Sequence, residues 1–228
     1  MVIQKPDFKQ LLSDLQFMTN FIPIFPLSIV VFPGEEVNLH IFEPRYKQLI
    51  KECFSDVKPF GIPPIINSRM GDLGTLVKVQ ELVKIYDNGE MDIRIKGTAV
   101  FRILELIKRI PDKLYSGAIV NYPETNETGS ETLMKKVLKS MREMHRLLKI
   151  TKQFRLPDER LKAFDIAHHA GLSVEEEQEL LGLTQEIHRQ EYLKRHLHTI
   201  ISVLKETETL KERIKLNGHF KNPGSMDL

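Results

Sequence analysis

Residues 26–50 constrain the fold more tightly than any other stretch of the chain. They read Pro-Leu-Ser-Ile-Val-Val-Phe-Pro-Gly-Glu-Glu-Val-Asn-Leu-His-Ile-Phe-Glu-Pro-Arg-Tyr-Lys-Gln-Leu-Ile. An apolar run ends at Pro33-Gly34, a turn dipeptide. Val37, Leu39 and Ile41 then alternate with Asn38 and His40, the period of a strand with one buried face. Pro44 suits the first turn of a helix, because its φ is already helical and its missing N–H has no helical partner there. Tyr46, Leu49, Ile50 and Cys53 fall on one face of that helix, which is expected to run to about Cys53.

The surrounding sequence to Tyr122 reads mainly as β. Residues 21–33 are nearly all apolar but carry Pro23, Pro26 and Pro33, so they are expected as a pair of buried strands rather than a membrane span. Residues 58–66 are Pro-rich and apolar, an edge strand or strap. Strands are expected at 75–79, 83–86, 91–96, 101–106 and 115–122. The second and third of these flank Asp87-Asn88-Gly89-Glu90, a strong hairpin signal because Asn-Gly tolerates the positive φ of the tight turn. Such closely spaced short strands indicate a small barrel or sandwich. Ahead of them, residues 6–18 form an amphipathic pattern with Phe8, Leu11, Leu12, Leu15 and Met18 on one face, so an N-terminal helical segment is expected over 1–20.

The texture changes near Pro123, where a polar, turn-rich linker begins. Thr128 and Glu131 have capping-box spacing, and Met134, Val137, Met141, Met144 and Leu148 form an apolar helical stripe. Pro157 opens a second expected helix, to Ala170, with Gly171 as its stop. Ser173 and Glu176 form another capping box before a short helix ending near Gly182. From Thr184 to Asn217 there is neither Pro nor Gly. That run is one helix of roughly 50 Å, with a seam through Leu193, Leu197, Ile200, Leu204, Thr207, Leu210 and Ile214. So long a helix has to pair with another helix, a second copy or a partner. The expected division is therefore a segment 1–20, a β domain 21–123, a helical domain 128–217 and a loose tail 218–228.

Several function classes are disfavoured. A net charge of +2 drives the chain toward neither nucleic acid nor membrane. No Gly-x-x-x-x-Gly-Lys-[Ser/Thr] loop, Gly-x-Ser-x-Gly elbow or His-Glu-x-x-His frame occurs in the sequence. His196 and His198 point about 160° apart on a helix and cannot share a metal. The expectation is a chain without catalytic activity, cofactor or metal. Residues 1–20 mix Lys5, Asp7, Lys9 and Asp14 with apolar positions, unlike a secretory leader. The lone Cys53 reads as a small buried side chain, and the expected compartment is the cytoplasm.

One charge pattern is distinctive. Lys135, Lys139, Arg142, Arg146 and Lys149 follow three–four spacing along one helix face. Residues 131–155 hold eight Lys/Arg against two Glu, while 172–191 hold six Glu against one Arg, so the two could be solvated faces that attract each other. The alternative is a basic face for RNA, weakened because Phe154 is the sole aromatic there.

The chain resembles the N-terminal substrate-binding domain of Lon proteases, the LON domain. The resemblance starts at Ile24-Phe25-Pro26-Leu27 and Val31-Phe32-Pro33-Gly34 and is sharpest at Leu39-His40-Ile41-Phe42-Glu43-Pro44-Arg45-Tyr46. Gly74-Thr75, Asn88-Gly89, Lys96-Gly97, Phe101-Arg102-Ile103 and Tyr115-x-x-Ala118 follow in the family's order. Asn38 stands where many relatives have Pro, which leaves a backbone donor in the strand. Phe164-Asp165-Ile166-Ala167, Glu177-Gln178-Glu179-Leu180-Leu181 and the long last helix are similar to the helical part of the Lon N-terminal region.

The resemblance implies an α+β fold, a PUA-like β-barrel followed by a C-terminal helical bundle with one long helix. It also implies binding rather than chemistry, without the motor and protease of Lon. The expected ligand is an unfolded, misfolded or degron-like polypeptide segment. The expected partners are a Lon-type protease or chaperone, or further copies joined through the long helix. The candidate groove comprises Phe32, Pro33, Phe42, Arg45 and Tyr46, or else the strap bearing Phe60 and Ile62. An apolar groove with strand-edge pairing would suit such a ligand.

Overall fold

The structure, a computed structural model, describes residues 19–219. The helix expected over 6–18 and the tail beyond His219 lie outside the described residues. The chain divides into two compact units. One comprises the residues up to Glu127 together with Leu172–Gln185; the other comprises Thr128–Gly171 and the residues from Glu186 onward. The expected helical domain over 128–217 is thus interrupted, because the short helix after Ser173 belongs with the strands.

The first unit is built on β1 (Thr19–Pro23), β2 (Glu36–Ile41), β3 (Phe60–Ile62), β4 (Ile65–Ile66), β5 (Arg69–Met70), β6 (Leu73–Ile85), β7 (Met91–Ile107) and β8 (Gly117–Asn121). The main sheet runs β1-β8-β7-β6-β3, with β2 also paired to β7, and every pairing is antiparallel. β7 is its spine. Its first half alternates buried Met91, Ile93 and Ile95 with Asp92, Arg94 and Lys96, which fixes one face inward.

The strands expected at 91–96 and 101–106 are one strand of 17 residues. Gly97 sits inside it because a Cβ there would run into the Phe32 carbonyl oxygen. Similarly, the strands expected at 75–79 and 83–86 merge into β6, which ends at Ile85 and absorbs three register shifts on its way to the hairpin. The hairpin forms as expected. Tyr86 N–H donates to the Glu90 carbonyl at 2.9 Å, and Gly89 takes φ +77°.

The barrel is not closed by a ladder. Past Pro23 the chain meets the β3 region through isolated bridges at Ile24–Gly61 and Leu27–Pro64. Pro23, Pro26, Pro63 and Pro64 lack the N–H groups that a continuous ladder needs here. For the same reason 21–33 gives one strand, not two. The core beneath the sheet gathers Phe25, Val31, Ile41, Phe60, Ile93 and Ile95 around the inward face of α1 (Pro44–Ser55). Tyr46, Leu49, Ile50 and Cys53 of α1 are all buried, as the sequence spacing requires.

Later in the chain, α4 (Val174–Gly182) rejoins this unit. Its capping box is complete: Ser173 Oγ accepts from Glu176 N–H at 3.2 Å, and the Glu176 carboxylate accepts from Ser173 N–H at 2.8 Å.

The second unit holds α2 (Glu131–Leu148), α3 (Ala163–Ile166) and α5 (Glu186–His219). Ser130, not Thr128, caps α2, its hydroxyl accepting from Leu133 N–H at 3.3 Å. Met134, Val137, Met141 and Met144 are buried, whereas Leu148 is exposed. The helix expected over 157–170 is broken into 3-10 turns at 158–160 and 167–169 around the four-residue α3. The cause is competition for backbone donors. Lys162 N–H goes to the Asp165 carboxylate at 2.8 Å, and Ala163 N–H goes to Glu186 Oε1 at 2.8 Å.

α5 has 34 residues. Leu193, Leu197 and Ile201 are buried, so the seam passes through Ile201 rather than Ile200. Beyond it, Val203, Leu210 and Ile214 are exposed. At the start of α5, Glu186, Arg189 and Gln190 form a buried polar network. Glu186 Oε2 lies 3.4 Å from Arg189 Nε, the Arg189 guanidinium stacks 4.1 Å over the Phe164 ring, and Gln190 Oε1 accepts from Ser130 N–H at 2.9 Å.

Candidate functional site

The outward face of β2 carries Glu36, Asn38 and His40, which the register sets opposite Lys96, Arg94 and Asp92 of β7. The first two rows are polar pairs. Lys96 lies 3.8 Å from Glu36, and Arg94 reaches Asn38 at 3.4 Å and Glu81 at 3.1 Å. The third row is different. His40 Nδ1 sits 2.7 Å from Asp92 and Nε2 lies 3.3 Å from Glu90. Tyr86 O–H donates to the other Asp92 oxygen at 2.7 Å. Phe42, just past the end of β2, stacks on the His40 ring at 6.2 Å and 23°, and Tyr86 meets that ring edge-on at 5.9 Å.

Two carboxylates therefore hold the His40 and Tyr86 rings, and Phe42 stacks on the first of them. Phe42 is 58% exposed, a large apolar surface left in water. The hydrogen bond to Asp92 is the largest cause holding His40 above its ordinary pKa, against an opposing desolvation. Asp92 is held below the usual carboxylate range, first by the Tyr86 phenol and then by His40. The cluster contains no serine or cysteine nucleophile, and the His40 and Tyr86 polar atoms are committed to carboxylates. It is suited to contact with apolar and aromatic groups. Among the described residues, no group of three or more His, Cys, Asp or Glu could hold a metal ion, and no helix is long and apolar enough to cross a membrane.

A family model for the ATP-dependent protease La (LON) substrate-binding domain matches residues 22–199. The chain belongs to the LON substrate-binding domain family. Solved structures agree on the fold. The Lon N-terminal domain protein from Xanthomonas campestris is 22% identical, with a TM-score of 0.59 over 76% of this chain and 96% of the other. The N-terminal domain of the Mycobacterium avium complex Lon protease is 13% identical, with a TM-score of 0.56 over 78% of this chain and 98% of that domain. Both support the α+β architecture expected from the resemblance.

Within this LON domain the candidate residues separate by burial. Phe32, Tyr46, Phe60 and Ile62 are core. The Tyr46 and Phe60 rings lie 3.9 and 6.4 Å from that of Phe25, so they fill space that a groove would need. Pro33 is half-buried. Phe42 and Arg45 reach the surface. Arg45 pairs with Glu43 at 2.7 Å and stacks 4.6 Å over Tyr46.

The basic face of α2 is exposed at Lys135, Lys139, Arg142, Arg146 and Lys149. Part of it is neutralised, since Lys135 meets Glu131 at 2.5 Å and Arg142 meets Asp158 at 2.6 Å.

His40, Tyr86, Glu90 and Asp92 are not among the groove candidates that the sequence offers. Outward alternation marked His40. Its pairing with Asp92 depends on β2 joining β7 across a sequence separation of 52, which local patterns do not reveal.

Proposed function

We propose that this LON domain is a non-catalytic recognition module that holds exposed apolar segments of unfolded polypeptide, acting in concert with a Lon-type protease or chaperone. The observation that carries the reading is Phe42, exposed yet fixed by stacking on His40. A ring ordered in advance loses little freedom on binding, so more of its burial contributes to affinity. Covering its open surface is worth about 1–2 kcal/mol, roughly a five- to thirtyfold change in Kd.

The test uses fluorescence anisotropy with a labelled, permanently unfolded protein and its folded parent. The chain should bind the unfolded form only, and Phe42→Ala should weaken that binding by the stated factor. Equal binding of both forms, or an unchanged Kd for Phe42→Ala, would remove the patch as the site.

A second reading, assembly through the long helix, is favoured by the exposed row of Val203, Leu210 and Ile214 on α5. Light scattering over a hundredfold concentration range would show a dimer that Leu210→Glu abolishes; a monomer throughout would exclude it.

A further inference from the structure

A concave feature of the strand unit lies far along the sheet from Phe42. Leu73, Arg102 and Asn121 are successive partners in the register of β6, β7 and β8, so their side chains form one row across a single face. α4 lies over this row. Its N-terminal end is tied by Asn67 Nδ2–H donating to Glu175 at 3.1 Å. At its C-terminal end, Gly182 comes so close that an added Cβ would sit 3.0 Å from Leu73 Cδ1. The chain just after α4 is held where Asn126 N–H donates to the Thr184 carbonyl at 2.8 Å.

Between the row and α4 remains a cleft of about 170 Å³. Leu73, Val100, Pro123 and Leu181 supply apolar walls; Arg102, Asn121 and Thr184 supply the polar ones. A dry cavity of about 150 Å³ accommodates a benzene-sized group, so this volume suits one aliphatic or aromatic side chain.

The polar groups narrow the ligand further. Arg102 is paired with Asp72 at 2.5 Å, so the cleft has no free positive charge to attract a carboxylate. Asp72, Glu175 and Glu179 rim the adjoining depression and repel acidic groups.

We propose that this cleft is a docking pocket for one apolar side chain, presented by an extended polypeptide segment without flanking acidic residues. The proposal rests on the reading that the domain binds polypeptide, but it names a different place on the molecule.

The test titrates the full chain with end-blocked five-residue peptides carrying a central Leu, Ala or Asp, observed by ¹H–¹⁵N correlation spectra. The Leu peptide should shift the Asn121 side-chain amide and the Gly182 backbone amide. It should bind at least tenfold more tightly than the Ala or Asp peptide. Flanking Lys should tighten binding and flanking Glu weaken it, both effects shrinking with salt.

Thr184→Trp, which fills the cleft from its exposed rim, should abolish peptide binding while leaving the unfolded-protein affinity assigned to Phe42. The proposal is overturned if Thr184→Trp binds the peptide like the parent chain, or if the Leu peptide shifts neither reporter. Should unfolded protein still bind in a Phe42-dependent manner, only the cleft has failed; if that binding is also missing, both readings have.

Discussion

Replacing Gly97 with Ala adds one methyl group to the middle of β7 and tests how the strand unit is assembled. The methyl would run into the Phe32 carbonyl oxygen and come within 3.2 Å of Thr75 Cγ2. A backbone carbonyl has no rotamer to escape into. Phe32 is fully buried, and the preceding Val31 carbonyl accepts the Thr75 hydroxyl, so the segment cannot retreat as a free loop. Moving it stretches two backbone bonds, Gly34 N–H to the Gly97 carbonyl and Gly97 N–H to the Glu35 carbonyl, each 2.9 Å. Overpacking costs about 1–3 kcal/mol. The two weakened hydrogen bonds add about 1 kcal/mol each. The smaller entropy of the unfolded alanine chain returns about 0.4–1 kcal/mol. The net loss is about 3 kcal/mol.

The assay is urea unfolding followed by tyrosine fluorescence, since Tyr46, Tyr86, Tyr115 and Tyr122 lie in the strand unit and Tyr192 outside it. With an m-value of about 2 kcal/mol/M, the midpoint should fall by roughly 1.5 M. Gly89→Ala is the control. Nothing lies within 4 Å of its added methyl, and φ is +77°, so the left-handed conformation alone costs about 1 kcal/mol. If Gly97→Ala lowers the midpoint no more than Gly89→Ala does, the steric reasoning is wrong.

Other outcomes follow from the same geometry. Glu186→Ala removes a carboxylate from beside the buried Arg189 and the acceptor of Ala163 N–H, a loss of about 3–5 kcal/mol. Its helical unfolding transition by circular dichroism should drop by more than about 10 °C, and adding Arg189→Met should recover part of that; a drop under 2 °C would deny the network its role. The Cys53 thiol, pushed up to about 12 by burial first and by the nearby Glu52 and Asp56 carboxylates next, should ignore a thiol reagent at pH 8 until urea is added; rapid labelling of the native chain would contradict its packing. His40 should titrate above the ordinary histidine value of about 6.5 in NMR spectra, and Asp92→Asn should bring it down. Because its folded pKa is raised, the His40 contacts stabilise fully below the unfolded value and lose that contribution as pH rises through the folded one; a native value at or below 6.5 would refute the pairing.

Much of the architecture was legible where local chemistry decides the conformation. The alternation from Val37 to Ile41, the proline start of α1, the Asn88-Gly89 hairpin and the Ser173–Glu176 box each depend on a few adjacent residues. The misreadings share a physical origin in contacts distant in sequence. Gly97 looks like a strand terminator until Phe32 is seen crossing it. Residues 157–170 look helical until Glu186 and Asp165 capture their backbone donors. The apolar residues of the candidate groove, Phe32, Tyr46, Phe60 and Ile62, are those a core requires, and composition cannot separate the two uses. Phe42 was legible as a candidate, whereas its partners His40 and Asp92 meet only through β2–β7 pairing.

The return of α4 to the strand unit fixes an order of events during synthesis. The chain completes β8 and leaves for the helical unit at Thr128, and the piece that finishes the first unit arrives only with Leu172–Gln185. At a translation rate of about 5–20 residues per second, the nascent strand unit waits roughly 3–12 seconds for α4. Throughout that interval the face bearing Leu73 is uncovered. A fragment ending at Glu127 would remain permanently in that state, prone to stick to its neighbours, so the smallest fragment that can stand in for the strand unit has to extend through Gln185.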